Sequence, residues 1–281
     1  MKLFALLPAL LGVMLQFPLA VAQSIPVIDL KQMPQLDAEP NEWGGYGGEW
    51  VALTPLTAVS RVEARQVLVK VGRYADQVLF YFEWQDTEAD LVHKPFRWNA
   101  AEQRYARGEQ REDRLAIQFQ ISGEYHSDWL ATGGFVADMW HWKASRSNPL
   151  GLAHDKKTTL SRAKILRAYR TEKPDGTPLY ILRESDQGTP LYTTARYGRR
   201  VEAQMPKYLL ASDPRGSIAD VRAKGVWRDG WWRLELLRKL DTGHGDDVVF
   251  VAGQAVAAGI AIFDQSENED HVVSSDLEIR F

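Results

Sequence analysis

The chain of 281 residues contains no cysteine. That excludes a disulfide framework, a Cys-ligated iron–sulfur cluster, a zinc ribbon, a thiol nucleophile and a covalently attached c-type haem, which needs C-x-x-C-H. Any metal must rest on His, Met, Asp, Glu or Lys. A dominant charge is also missing: 34 Lys and Arg face 37 Asp and Glu, for a formal net charge of −3. No basic field reaches for nucleic acid. Beyond the N-terminus, no run approaches the ~18–20 apolar residues of a membrane-spanning helix. G-x-S-x-G, H-E-x-x-H, the phosphate loop and G-x-G-x-x-G are all absent, and nothing singles out a glycosidase-like carboxylate pair. No repeat occurs at solenoid periods. The chain carries no signature of a catalyst in its own right.

What remains is globular in composition, 45% hydrophobic and 25% charged, with enough apolar mass for a real core. The first residues read as an export address. Lys2 gives a positive start, Phe4 to Leu19 is almost wholly apolar, and Ala20-Val21-Ala22 is a small-x-small cleavage site. Residues 1–22 are therefore expected to be a secretory signal peptide cut after Ala22, leaving 23–281 as one exported domain, periplasmic or secreted.

Period-2 alternation dominates the mature chain. Val67, Val69 and Val71 alternate with Leu68 and Lys70, and Val78, Phe80, Phe82 and Trp84 share one face of the next run. The turn-like Arg73–Asp76 between them predicts a hairpin. Leu115, Ile117, Phe119 and Ile121 alternate again. In Val136–Ala144, Met139 and His141 fall on one face, Trp140 and Trp142 on the other. Asp229-Gly230 predicts a second hairpin, from Gly225–Trp227 to Trp231–Leu237. Val248–Ala252, Ala255–Phe263 and Val272–Phe281 read as further strands. Asn41–Trp50 reads as loop, 86–112 as a surface connection and 145–215 as long loops, with a short helix expected over Leu160–Arg170. Strands at both ends and no βαβ rhythm predict a mainly β fold: an antiparallel β-sandwich with long loop insertions and a few short helices. Ten Trp, ten Tyr and ten Phe suit a sandwich core, a flat cofactor slot or a sugar-stacking platform.

Five segments, in order, carry a family resemblance: VLFYFEWQDTEADL (78–91), EDRLAIQFQI (112–121), ADMWHWKASRSNPLG (137–151), GSIADVRAKGVWRDGWWRLELLRKLDTGHGDDVVF (216–250) and IAIFDQSENEDHVVS (260–274). The W-x-W-K-A run and the W-x-x-E-L-x-R-x-L-x-T-G-x-x-D-D stretch are the more specific parts. Together they resemble the haem-binding domain related to the gamma subunits of ethylbenzene and dimethylsulfide dehydrogenases. The resemblance implies a β-sandwich holding one non-covalent haem b between axial Met and Lys side chains. It also implies electron transfer within a molybdenum-enzyme complex and to periplasmic carriers.

Carried over residue by residue, the Lys position falls on His271, after Phe263-Asp264. Imidazole binds iron more readily at neutral pH, with a pKa near 6.5 against about 10.4 for an amine. The Met position falls in the loop His126 to Gly134, which contains no Met. His126 is the nearest residue able to bind iron; Met139 is the other candidate. Trp140 and Trp142 are expected to line the haem slot, and His141 reads as core or haem edge. Each has a plainer role open to it: a solvated loop for His271 and His126, core packing for Met139. His244 reads as a turn residue, and His93 and His154 show no partner pattern. Asp241, Asp246 and Asp247 lie close enough for Ca²⁺ but lack the EF-hand spacing, and read as a hydrogen-bonded corner. Three functions follow: a b-type electron-transfer protein with a redox partner, a metal-free carbohydrate-binding module, or an assembly subunit that has lost its haem.

Overall fold

A computed structural model describes residues 22–57, 60, 62–173, 175–266 and 270–281. Of the expected signal peptide only Ala22 falls among them. Nineteen strands run in chain order: β1 (Gln23–Asp29), β2 (Glu49–Pro55), β3 (Arg65–Tyr74), β4 (Gln77–Gln85), β5 (Phe96–Asn99), β6 (Arg104–Arg107), β7 (Arg114–Glu124), β8 (Gly134–Lys143), β9 (His154–Ser161), β10 (Tyr169–Glu172), β11 (Pro178–Ser185), β12 (Tyr192–Thr194), β13 (Gln204–Met205), β14 (Tyr208–Leu210), β15 (Arg222–Arg228), β16 (Trp231–Lys239), β17 (Ala255–Phe263), β18 (Val272–Ser274) and β19 (Leu277–Arg280). Two single turns of 3₁₀ helix, Asn148–Leu150 and Ser217–Ala219, are the only helical elements among the described residues.

The strands make a sandwich. One layer has the order β10-β11-β9-β8-β7-β17, the other β2-β3-β4-β16-β15. They are joined along one edge. There β17 pairs with β18, which pairs with β2, and β17 also pairs with β19, which pairs with β1 and so reaches β3. β1 runs parallel to both of its neighbours; the other pairings are antiparallel.

Alternation explains the layers. Val67, Val69, Val71, Phe80, Phe82, Trp84, Trp232, Leu234 and Leu236 face inward from one sheet. Leu115, Ile117, Phe119, Trp140, Trp142, Ile260 and Ile262 face them from the other. Rings meet across the gap, Phe80 against Trp140 at 5.4 Å and Trp142 against Trp232 at 4.9 Å. Gly225 is required there, because a Cβ would lie 2.4 Å from the Trp142 ring. Both hairpins form where the turn chemistry places them, with positive φ at Ala75 (52°), Asp229 (55°) and Gly230 (82°).

Three expectations are corrected. Leu160–Arg170 is not a helix: Leu160 and Ser161 pair with β8 and β11, and Arg167 takes φ 67°. Val248–Ala252 is not a strand, because the Val248 N–H donates to the Asp138 carboxylate and the Phe250 N–H to the Leu240 carbonyl. The run expected over Val272–Phe281 breaks into β18 and β19: both pair with β17, but β18 continues to β2 and β19 to β1. The stretches read as loops carry short strands, β5 and β6 within 86–112 and β9 to β14 within 145–215.

Candidate metal and cofactor site

Strand β8 presents Met139, His141 and Lys143 on the face turned away from the sandwich core. Register extends that face sideways. Lys156, Met139, Gln118 and Gly259 form one rung; His154, His141, Ala116, Ala261 and Val273 form the next; Lys143, Arg114 and Phe263 the third. His271 lies just before β18 and brings its ring against Phe263, 4.4 Å between centroids. His141 meets the same Phe263 ring at 5.7 Å. Met139, Ala116 and Phe263 form one apolar cluster, and the Arg114 guanidinium lies 4.1 Å from the Phe263 ring centre.

Sequence alternation thus brings Met139, His141 and His271 together around Phe263. Trp140 and Trp142 lie on the opposite face of the same strand, fully buried among Phe80, Trp84 and Trp232. Their place is the sandwich core and not this cluster. His126 is elsewhere. It follows β7 on a loop, its side chain is 44% exposed, and its Nδ1 accepts from the Asp128 N–H at 3.1 Å. The corner at Asp241–Asp247 is hydrogen-bonded as expected, and His244 sits in it with its ring 2.6 Å from Asp220.

The electrostatics of the His141 face suit metal ligation. Both ring nitrogens of His141 are buried, and no described residue hydrogen-bonds to them. Burial, helped by the cations Lys143, Arg114 and Lys156, holds its pKa well below the ordinary histidine value. The ring is neutral, with a free lone pair. Met139 sulfur lies 3.7 Å from the Gln118 amide nitrogen. The donor set is two imidazoles and a thioether, which suits haem iron.

A polar layer beside this face was not legible from single motifs. Lys143 Nζ lies 2.7 Å from His154 Nδ1 and 3.1 Å from the Tyr192 hydroxyl, and His154 Nε2 lies 2.8 Å from Ser185 Oγ. Burial pushes the Lys143 pKa down. Glu112, fully buried, binds the Arg146 side chain and the backbone N–H groups of Ser145 and Arg146. His93 stands 3.3 Å from Glu112. Its pKa nonetheless falls to about 2, because burial and the nearby Arg146 and Arg114 outweigh a carboxylate already engaged. The available signal was the i, i+2, i+4 spacing of Met139, His141 and Lys143; His93 and His154 gave none. A cleft of about 430 Å³ opens beside His93, Arg146 and Tyr208. Another of about 900 Å³ is lined by Arg65, Asp86, Asp264, Gln265, Ser266 and Asp270.

Residues 57–274 match the profile of a family described as ethylbenzene dehydrogenase. The chain belongs to the ethylbenzene dehydrogenase family. All six candidate residues fall within the family's span. No curated protein matches this ethylbenzene dehydrogenase family member. Among solved structures it is similar to a proposed carbohydrate-binding protein from Bacteroides uniformis (9% identity, TM-score 0.44, covering 92% of this chain and 91% of that one). It is also similar to a family 9 carbohydrate-binding module from Caldicellulosiruptor kristjanssonii in complex with glucose (11%, TM-score 0.41, 92% and 95%) and in complex with cellotriose (11%, TM-score 0.40, 92% and 93%). No described helix of this family member is long and apolar enough to cross a membrane.

Proposed function

We propose that this chain is an exported b-type haem protein that carries electrons for an oxidoreductase complex and is not a catalyst in its own right. One observation carries the reading: both ring nitrogens of the half-buried His141 are closed off from solvent and unpartnered among the described residues, on the face where Met139 and His271 also converge on Phe263. An imidazole buried without partners costs stability unless something binds it. Iron is the partner that family membership brings to mind, and the donor chemistry fits it.

In this reading His141 and His271 would hold the haem iron, and Met139, whose sulfur faces Gln118, packs beside them. When bound, the haem would supply one-electron redox chemistry. The chain's own residues hold the imidazole neutral, enclose its two nitrogens and place the cations Arg114 and Lys156 nearby. Those cations favour the reduced form of a buried redox group, since reduction lowers its positive charge.

The test is an absorption spectrum of the purified protein, oxidised and reduced, with a pyridine haemochrome assay. The expected result is about one haem b per chain, with resolved α and β bands on reduction. His141→Ala should leave a high-spin or haem-free protein, whereas Met139→Leu should leave the ferric spectrum unchanged. A folded, colourless protein that takes up no added hemin would overturn the reading.

A further inference from the structure

At one end of the sandwich core, away from the Met139 face, four carboxylates are buried around a single cation. Asp138 points inward from β8, and Asp155 points inward from β9 as the register partner of Trp140. Asp186 follows β11, and Asp247 ends the 241–247 corner. Asp138 and Asp155 are fully buried, and Asp186 and Asp247 are 6% exposed. Oxygens of Asp138, Asp155 and Asp247 lie within 4.8 Å of one another. Arg238 lies among them, its Nη1 2.6 Å from Asp138 Oδ2 and 3.6 Å from Asp247 Oδ1. Its other terminal nitrogen donates to the Val248 carbonyl.

One guanidinium does not satisfy this set. No described donor hydrogen-bonds to Asp138 Oδ1, to Asp155 Oδ2 or to either oxygen of Asp186. Thr242 ties Asp247 Oδ2, which leaves Oδ1 turned toward the cluster. Asp186 is the independent observation. It lies outside the close triad, is more than nine-tenths buried, stands next to Asp155 through its backbone N–H on the Asp155 carbonyl at 3.3 Å, and has neither carboxylate oxygen hydrogen-bonded among the described residues. A buried carboxylate left so is strongly unfavourable in a low-dielectric interior unless a proton or a cation is shared. The ligand atoms are all hard oxygens, with no imidazole or sulfur. They come from four separate segments and can adjust in number and angle, which suits Ca²⁺ better than a strict octahedral ion.

We propose that Asp138, Asp155, Asp186 and Asp247 bind one structural Ca²⁺, which clamps β8, β9, the turn after β11 and the 241–247 corner together. The ion would enter during folding, since the carboxylates are closed off from solvent. The test therefore uses the full chain refolded from denaturant, once with Ca²⁺ and once with EGTA. Elemental analysis after gel filtration should find about one calcium per chain in the first sample. The melting temperature should be higher there by ~5 °C or more. Tb³⁺ in place of Ca²⁺ should show luminescence on exciting tryptophan, because Trp140 lies alongside. Asp186→Asn, at the margin of the core, should fold and lose the retained calcium. If the refolded wild-type chain holds no calcium and melts at the same temperature with Ca²⁺ or EGTA, the proposal is overturned and the carboxylates share protons instead.

Discussion

Strand β8 carries two surfaces with opposite rules. On the inner one, Trp140 and Trp142 are fully buried against other rings, and their contribution is area and shape. On the outer one, Met139 and Lys143 are buried and His141 is half-buried with both ring nitrogens enclosed, beneath a layer of Arg, His, Tyr and Glu side chains. Burial there raises the energy of groups that prefer water. The inner face needs no ligand to explain it. The outer face holds an imidazole with no hydrogen bonds among the described residues.

The largest test of this contrast is truncation on each face. Trp142→Ala should cost about 3–5 kcal/mol in urea unfolding, from lost transfer energy and the cavity left behind. His141→Leu should change stability by less than ~1.5 kcal/mol in haem-free protein, since the ring has no hydrogen bonds to lose and the volume is similar. Equal losses would show that His141 is an ordinary core residue.

A smaller effect sharpens the inner face. Gly225→Ala places a methyl 2.4 Å from the Trp142 ring and should cost about 1–3 kcal/mol by overpacking. Combined with Trp142→Leu the cost should shrink, because the two changes share one contact. Additive losses in a double-mutant cycle would place the strain elsewhere.

Which parts of this were legible in advance follows from the range of each signal. Alternation is local, so β3, β4, β7, β8 and β16 could be read directly, as could the Asp229-Gly230 turn. The same alternation separated Met139 and His141 from Trp140 and Trp142. Which face leaves imidazole nitrogens unpartnered was not local information. Aromatic residues suggested a slot, but across the sandwich Phe80 and Trp232 fill the space that Trp140 and Trp142 would have lined. A short strand such as β13 owes its existence to β5, far back along the chain, so its sequence reads as loop. His93 and His154 meet their partners only through the fold.

Acidity separates the two outer faces of the sandwich. Burial and the charge of Lys143 hold the His154 pKa below its ordinary 6.5. The unfolded chain therefore binds the proton first, and stability is full above pH 6.5 and lost as pH falls toward the folded pKa. Glu235, on the outer face of the opposite layer, is pushed by burial from 4.5 up to about 8. Its effect has the other sign: stability is full below pH 4.5 and lost as pH rises through about 8. Each group contributes at most about 1.4 kcal/mol per pH unit. His154→Gln should flatten the acid limb of a stability–pH curve, and Glu235→Gln the limb between pH 4.5 and 8. A variant that leaves its own limb unchanged would show that the group titrates alike in both states.

The smallest expected effect concerns His126, whose sequence position made it a rival ligand. Its side chain is 44% exposed, and its ring is engaged with the Asp128 N–H and stands 3.7 Å from Asp276. Exposed contacts of this kind contribute little, so His126→Ala should alter stability by no more than ~0.5 kcal/mol. It should also leave the reduced absorption spectrum unchanged, while His271→Ala alters it. A lost or shifted Soret band in His126→Ala would move the iron away from the Phe263 cluster, toward the loop after β7. The unpartnered nitrogens of His141 would then need another occupant, and the two faces of β8 would differ in packing alone.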